Sequence, residues 1–258
     1  MRTTMVSALI EFKKLLRRRK YIALTLTQLA VCALVMIGAN AADTALSTDV
    51  LDIGVPITLG VMTAEFIPNS GLQAILFIVL PLLIFMMTSD AFAHEMEDGT
   101  IRCQLLRPVS RAKAFVSKLI AVWAYSVGNL IITWLLFAAL QTAFFGFTAG
   151  AARTAASYIW SAVPIIPFIT MSAFIAVAVG NSTLSMFVSL IAYIVMFAAT
   201  LLSPTVGAVF FINHMGFYKH FLGLAVNWVA MGTELLLILS TASLLGLAAF
   251  ALFDRKQI

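Results

Sequence analysis

Charge is what this sequence has least of. Its 16 lysines and arginines and 11 aspartates and glutamates amount to 10% of 258 residues, against roughly 25% in a soluble domain. That poverty excludes a disordered, self-repelling chain, which needs high charge and few apolar side chains. It also excludes an ordinary water-soluble enzyme, which could not hide so much apolar surface. Cysteine is nearly missing too. Cys32 lies inside the first apolar run and Cys103 in a basic loop. Their different depths predict no disulfide and exclude a small stapled scaffold. No Gly-x-x-x-x-Gly-Lys-[Ser/Thr] string occurs, so no nucleotide-binding P-loop is expected, and no nucleotide, metal or other cofactor bound directly by this chain. His-Glu-x-x-His and Cys-x-x-Cys are absent as well. His94 falls in the inner loop and His214 and His220 in the outer element, apart from it, and all three read as polar surface residues.

What fills the sequence is apolar. The hydrophobic fraction is 62% and the mean hydropathy +1.04. Six stretches reach the length of about 20 residues needed to cross a bilayer at 1.5 Å per residue. They are 21–39, 71–88, 119–147, 159–179, 186–203 and 228–253, numbered here spans 1 to 6. Their continuous apolar character fits helices rather than the alternating strands of a barrel. The fold class is therefore all-α integral membrane, a single transmembrane domain with six helical spans.

Basic residues are distributed unevenly. Arg2, Lys13, Lys14, Arg17, Arg18, Arg19 and Lys20 precede span 1. Arg102, Arg107, Arg111, Lys113 and Lys118 lie between spans 2 and 3, and Arg255 and Lys256 follow span 6. Only Arg153 and Lys219 fall on the other side. The positive-inside rule then places both termini in the cytoplasm, and the expected location is the plasma membrane. The sequence pI near 9.4 is explained by this asymmetry, so no nucleic-acid partner is expected. Arg-rich residues, an apolar run and Ala39-Asn40-Ala41 look superficially like a cleaved signal. The length of the run favours retention as span 1.

Three segments outside the spans carry further expectations. Val6–Tyr21 alternates Val6, Leu9, Ile10, Phe12, Leu15 and Leu16 with Lys13, Lys14, Arg17 and Arg18, so residues 1–20 should form a helix lying on the inner leaflet. Residues 204–227 are apolar but interrupted by Pro204, Gly207, Asn213, His214, Lys219 and His220. A seventh crossing there would carry Arg255 and Lys256 outside, so the segment reads as an outer re-entrant element. Within the spans, Pro81, Pro164 and Pro167 should kink spans 2 and 4. Glu234, about two turns into span 6, is a possible intramembrane polar site, though contact with water or a hydroxyl explains it equally well.

Residues 89–118 form the one long loop on the basic side. Span 2 should continue as a helix through Glu95, and Gly99 is its natural left-handed stop. Ile101, Leu105 and Leu106 share one face of a short amphipathic piece. Pro108 ends it, and Ser110 can start the next helix. The product is a helix, a tight turn, a short transverse helix, a sharp turn and another helix, a knob suited to a groove on a partner.

Glu95-x-x-x-Gly99-Thr100-Ile101, Leu105-Leu106-x-Pro108-Val109-Ser110-Arg111 and Lys118 together resemble the inner-loop signature of permease subunits of ABC-2-type transporters. The six-span layout, the N-terminal surface helix and the outer re-entrant element are similar as well. The resemblance implies a non-catalytic subunit, dimerising with a second copy as a homodimer in the lipid bilayer and working with a separate ABC ATPase subunit that holds ATP and Mg. It also implies that Ile101–Leu106 is a coupling helix, with Ile101, Leu105 and Leu106 filling the ATPase groove. Gly99 and Pro108 would shape its turns, and Glu95 would fix the end of span 2 by pairing with Arg111 or a partner cation. In such a dimer spans 2 and 5 line the path. Here both are almost wholly apolar, which suits export of an amphiphilic or hydrophobic cargo such as an antimicrobial or toxin peptide, a drug or a lipid-like molecule. The competing reading is a non-transporting membrane anchor or regulator of a cytoplasmic partner.

Overall fold

The computed structural model describes residues 2–49, 71–100, 110–145, 151–202, 207, 210–221 and 228–256. Every regular element among them is helical. Six helices are long and apolar enough to cross a membrane. The chain is thus an all-α, multi-pass membrane protein.

The N-terminal helix spans Arg2–Arg17, and the chain breaks at Arg18 before span 1, Arg19–Asp49. One side of the N-terminal helix, with Ala8, Phe12 and Leu15, packs on protein. Met5, Val6, Leu9, Ile10 and Leu16 stay exposed. Its apolar residues therefore serve two surfaces, and the outward one, edged by cations, is the surface a lipid leaflet would meet.

Span 2 runs as one helix over Gly71–Glu97, wider than an ordinary α-helix at Ile75–Val79 and Ser89–His94. Single π turns of this kind recur at functional places in helices. Span 3 is Arg111–Phe145. Ser110 precedes it, and the Ser110 carbonyl accepts the Ala114 amide at 3.1 Å.

Span 4 is broken. Ala151–Trp160 and Ile165–Val179 are joined by a turn at residues 161–164. Pro164 explains the break, because it has no amide to donate and its ring clashes with a continued helix. Trp160 is the last residue before this break. Trp123 of span 3 donates its Nε1 to the Ala162 carbonyl at 3.0 Å. The tryptophan thus satisfies a carbonyl that the interruption leaves without a helical partner.

Span 4 is also the most enclosed element. Ala173, Ala176 and Val177 are buried against Ala249 and Phe253 of span 6, Trp228–Arg255. A Cβ on Gly246 would sit only 3.5 Å from Thr170. Small residues let the two backbones approach closely, which is how helices associate in lipid. Span 5, Ser182–Leu202, buries Ser185, Ser189 and Tyr193, spaced four apart on one face. Its other side exposes Leu184, Phe187, Ile191, Ile194 and Val195.

Within 204–227 the described part is a 3-10 helix, Phe211–Phe221. Phe211, Ile212, Met215, Phe217 and Tyr218 are buried. The element packs on the Arg153 end of span 4 and on span 6. His214 is buried as well, and His220 Nε2 lies 3.1 Å from Glu234 Oε2. These two histidines are therefore not the surface residues the sequence suggests: His214 is enclosed with the apolar residues that the element packs on the bundle, and His220 is drawn to Glu234, while Asn213 and Lys219 stay exposed. Glu234, with its side chain 28% exposed, faces this imidazole. His94 is half-buried, 3.3 Å from Asp98.

Candidate functional site at the basic end of span 2

The last turns of span 2 carry four acids in nine residues: Asp90, Glu95, Glu97 and Asp98. An uncompensated carboxylate is costly away from water, so a buried one needs cations and donors around it. Asp90 and Glu95 are both buried.

Asp90 is reached from three elements. Arg18 Nη1 donates to Oδ2 at 2.7 Å, and Tyr21 Oη and Lys20 Nζ meet the same oxygen. From span 5, Ser182 Oγ donates to Oδ1 at 3.2 Å. The break at Arg18 makes this possible, since it turns the chain so that residues on either side face span 2. Glu95 accepts from Lys14 of the N-terminal helix and from Lys118 of span 3. Glu11 completes the group, 3.7 Å from Lys14 and 3.9 Å from Lys118. Lys118 is almost wholly enclosed, with its Nζ 5.9 Å from the Phe92 ring centroid. Carboxylates of Glu11, Asp90 and Glu95 thus interleave with Lys14, Arg18, Lys20 and Lys118, so that no charge in the knot stands alone.

Span 5 is attached twice more. Glu97 accepts from Asn181 Nδ2 at 2.9 Å and from the Ser182 amide at 3.2 Å. Ser89 Oγ donates to the Ser182 carbonyl and contacts Ser185 Oγ. The turn between spans 4 and 5 presents these groups. Gly180 stops span 4 at φ 76°, and Asn181 Oδ1 accepts the Leu184 amide at 3.0 Å, capping span 5. Gly180-Asn181-Ser182 is thus a stop-and-start signal for two helices. Lys256 Nζ donates to the Val177 carbonyl at 2.6 Å and holds the chain's tail to the same turn.

Of the residues singled out in sequence, Glu95 is at the centre of this knot. Its partners are Lys14 and Lys118, not Arg111, which turns to Asp254 and donates to that residue's carbonyl at 2.8 Å. Gly99 adopts φ 68° at the end of span 2, the left-handed stop its position demands. Thr100 Oγ1 donates to the Glu95 carbonyl at 3.4 Å. Ile101, Leu105, Leu106 and Pro108 lie outside the described residues. Glu234 belongs to the opposite end of the bundle and has no part in the knot. Sequence reasoning passed over Asp90. The signal for it was present: a lone acid in an apolar helical stretch, on a chain whose first twenty residues carry seven cations.

Among the described residues there is no group of side chains suited to a metal ion. What it can do is mechanical. It ties the end of span 2 to the N-terminal helix and to spans 1, 3 and 5. The family description "ABC-2 family transporter protein" matches residues 5–255. No curated protein matches the chain.

Proposed function

The chain belongs to the ABC-2 transporter family, and on that premise we propose that it is the permease subunit of an ATP-driven exporter of amphiphilic or hydrophobic cargo. The observation that carries this reading is the course of span 2. It runs from Gly71 without interruption to the stop at Gly99, and its last turns are bound to four other elements through Asp90, Glu95 and Glu97. A push delivered just beyond Gly99 reaches the whole bundle by way of one rigid helix. Residues 101–106 are the handle in this scheme, with Ile101, Leu105 and Leu106 seated on a separate ATPase subunit that holds ATP and Mg. Pro108 and Arg111 set the return into span 3.

The basic end faces the cytoplasm of a plasma-membrane protein, as its concentration of Lys and Arg directs. A second copy completes the path, with the exposed apolar side of span 5 turned toward it. A path so poor in charge favours an amphiphilic peptide, a drug or a lipid-like molecule over a small ion.

The test is ATP-dependent clearance of an amphiphilic peptide from vesicles that contain the permease with its ATPase. Leu105→Asp should abolish clearance while both subunits remain in the membrane. Clearance unchanged by this substitution would remove the coupling role. Crosslinks between cysteines placed on span 5 of two copies, at Ile191 for example, check the dimer.

A further inference from the structure

A cavity of about 370 Å³ lies among spans 1, 2 and 3, away from the charged knot. This is within the range of small-molecule sites, roughly 300–1,000 Å³. Its wall is formed by apolar residues such as Val31, Ala74, Ile75, Val79 and Phe137, together with Gln28. Close approach of Gly71 to Phe137 shapes one side, since a Cβ on Gly71 would stand 2.8 Å from the ring. Ile75 and Cys32 are buried at its back, whereas Val31, Val35 and Leu82 on its edge are about half exposed. Among the described residues, the cavity therefore opens sideways, toward the lipid that surrounds spans 1 and 2.

Its polar groups are few and of one kind. Gln28 is 6% exposed. Its Nε2 is committed to Asn129 Oδ1 and Thr133 Oγ1, each at 3.0 Å. Its Oε1 is the one buried side-chain polar atom among the described residues without a hydrogen-bond partner. Thr27 spends its hydroxyl proton on the Ala23 and Leu24 carbonyls at 2.9 Å. Cys32 offers only a weak thiol donor. No charged side chain lines the space. An ammonium or carboxylate would enter without a counter-charge, at heavy cost. A buried carbonyl oxygen without a donor is itself unfavourable, and an incoming N–H or O–H relieves it.

We propose that this cavity binds an uncharged amphiphile drawn from the bilayer, with an apolar body and a single hydrogen-bond donor that pairs with Gln28 Oε1. The inference does not depend on the ATPase or on the direction of transport.

The test uses the full chain in lipid nanodiscs, without any ATPase. The probe is a twelve-carbon alcohol with a mid-chain diazirine, compared with its methyl ether, which has the same body and no donor. Labelled peptides are mapped by mass spectrometry as a function of probe concentration. The alcohol should label spans 1 and 2 at about tenfold lower concentration than the ether, the scale of one hydrogen bond to a buried group. Gln28→Leu should erase that difference while leaving the ether unchanged. Ala74→Phe, which places a ring in the cavity from an exposed backbone position, should suppress both probes. Equal labelling by alcohol and ether in the unmodified chain, or a preference that survives Gln28→Leu, would overturn the role of Gln28. Labelling of these spans by both probes that survives Ala74→Phe would overturn the site.

Discussion

Lys118 and Glu95 meet where neither can reach water: their side chains are 1% and 4% exposed. Span 3 supplies the cation and span 2 the anion, so the pair fixes the separation of two spans where they leave the apolar layer. Losing one member of such a pair costs about 3–5 kcal/mol, because the other stays buried without compensation. Glu95→Gln should lower stability by that amount in a denaturant titration of the detergent-solubilised protein. Combining it with Lys118→Met should restore much of the loss, and a double-mutant cycle measures the coupling. A cost for Glu95→Gln below about 1 kcal/mol would mean that the pair is not a structural bolt.

Asp90 holds the junction between the N-terminal helix and span 1 through Arg18, Lys20 and Tyr21. Asp90→Asn keeps the shape of the side chain and removes its charge. The junction should then open more often, and limited trypsin digestion between Arg17 and Lys20 should accelerate severalfold. Unaltered cleavage would place the restraint elsewhere, on the packing of Phe12 and Leu15.

At the break in span 4, one indole does the work of a missing helical turn. Trp123→Phe retains the ring's bulk and withdraws the donor from the Ala162 carbonyl. A loss of about 1–2 kcal/mol is expected, the range for leaving a buried acceptor without its partner. Faster amide exchange at residues 161–166 should accompany it.

The two left-handed glycines differ in their surroundings. A Cβ on Gly99 would meet nothing within 4 Å, whereas one on Gly180 would stand 3.2 Å from Lys256 Nζ. Gly99→Ala should cost about 1–2 kcal/mol from backbone conformation alone. Gly180→Ala should cost more, since it also disturbs the lysine that caps span 4. Equal costs would show that Lys256 yields freely.

The parts of this fold that could be read in advance are those set by neighbours along the chain. Long apolar runs give the spans, Gly99 gives a stop, and Pro164 gives an interruption. The family likeness was legible in the string from Glu95 to Lys118, which joins local turn chemistry to a spacing. Partner choice was not legible. Arg111 or a cation of a partner is the expected counterpart of Glu95, but the helix that starts at Arg111 carries that residue toward Asp254. The cation placed on Glu95 comes instead from Lys118, seven residues further along span 3, and a second comes from Lys14. His214 and His220 look like surface groups because nothing in their immediate sequence shows that a 3-10 helix will press them against spans 4 and 6. Gln28, Asn129 and Thr133 belong to spans 1 and 3 and look unremarkable until those two helices are side by side.

The wide turn at Ser89–His94 contains one peptide unit more than regular winding would use. Removing a single residue there would let the turn tighten to ordinary winding, and the helix beyond it would keep nearly its present facing. Glu95 and Glu97 would stay aimed at their partners, and only the side chains within the turn itself would be reshuffled. The surplus residue thus places one more side chain in this turn without turning either face of the helix away from its neighbours.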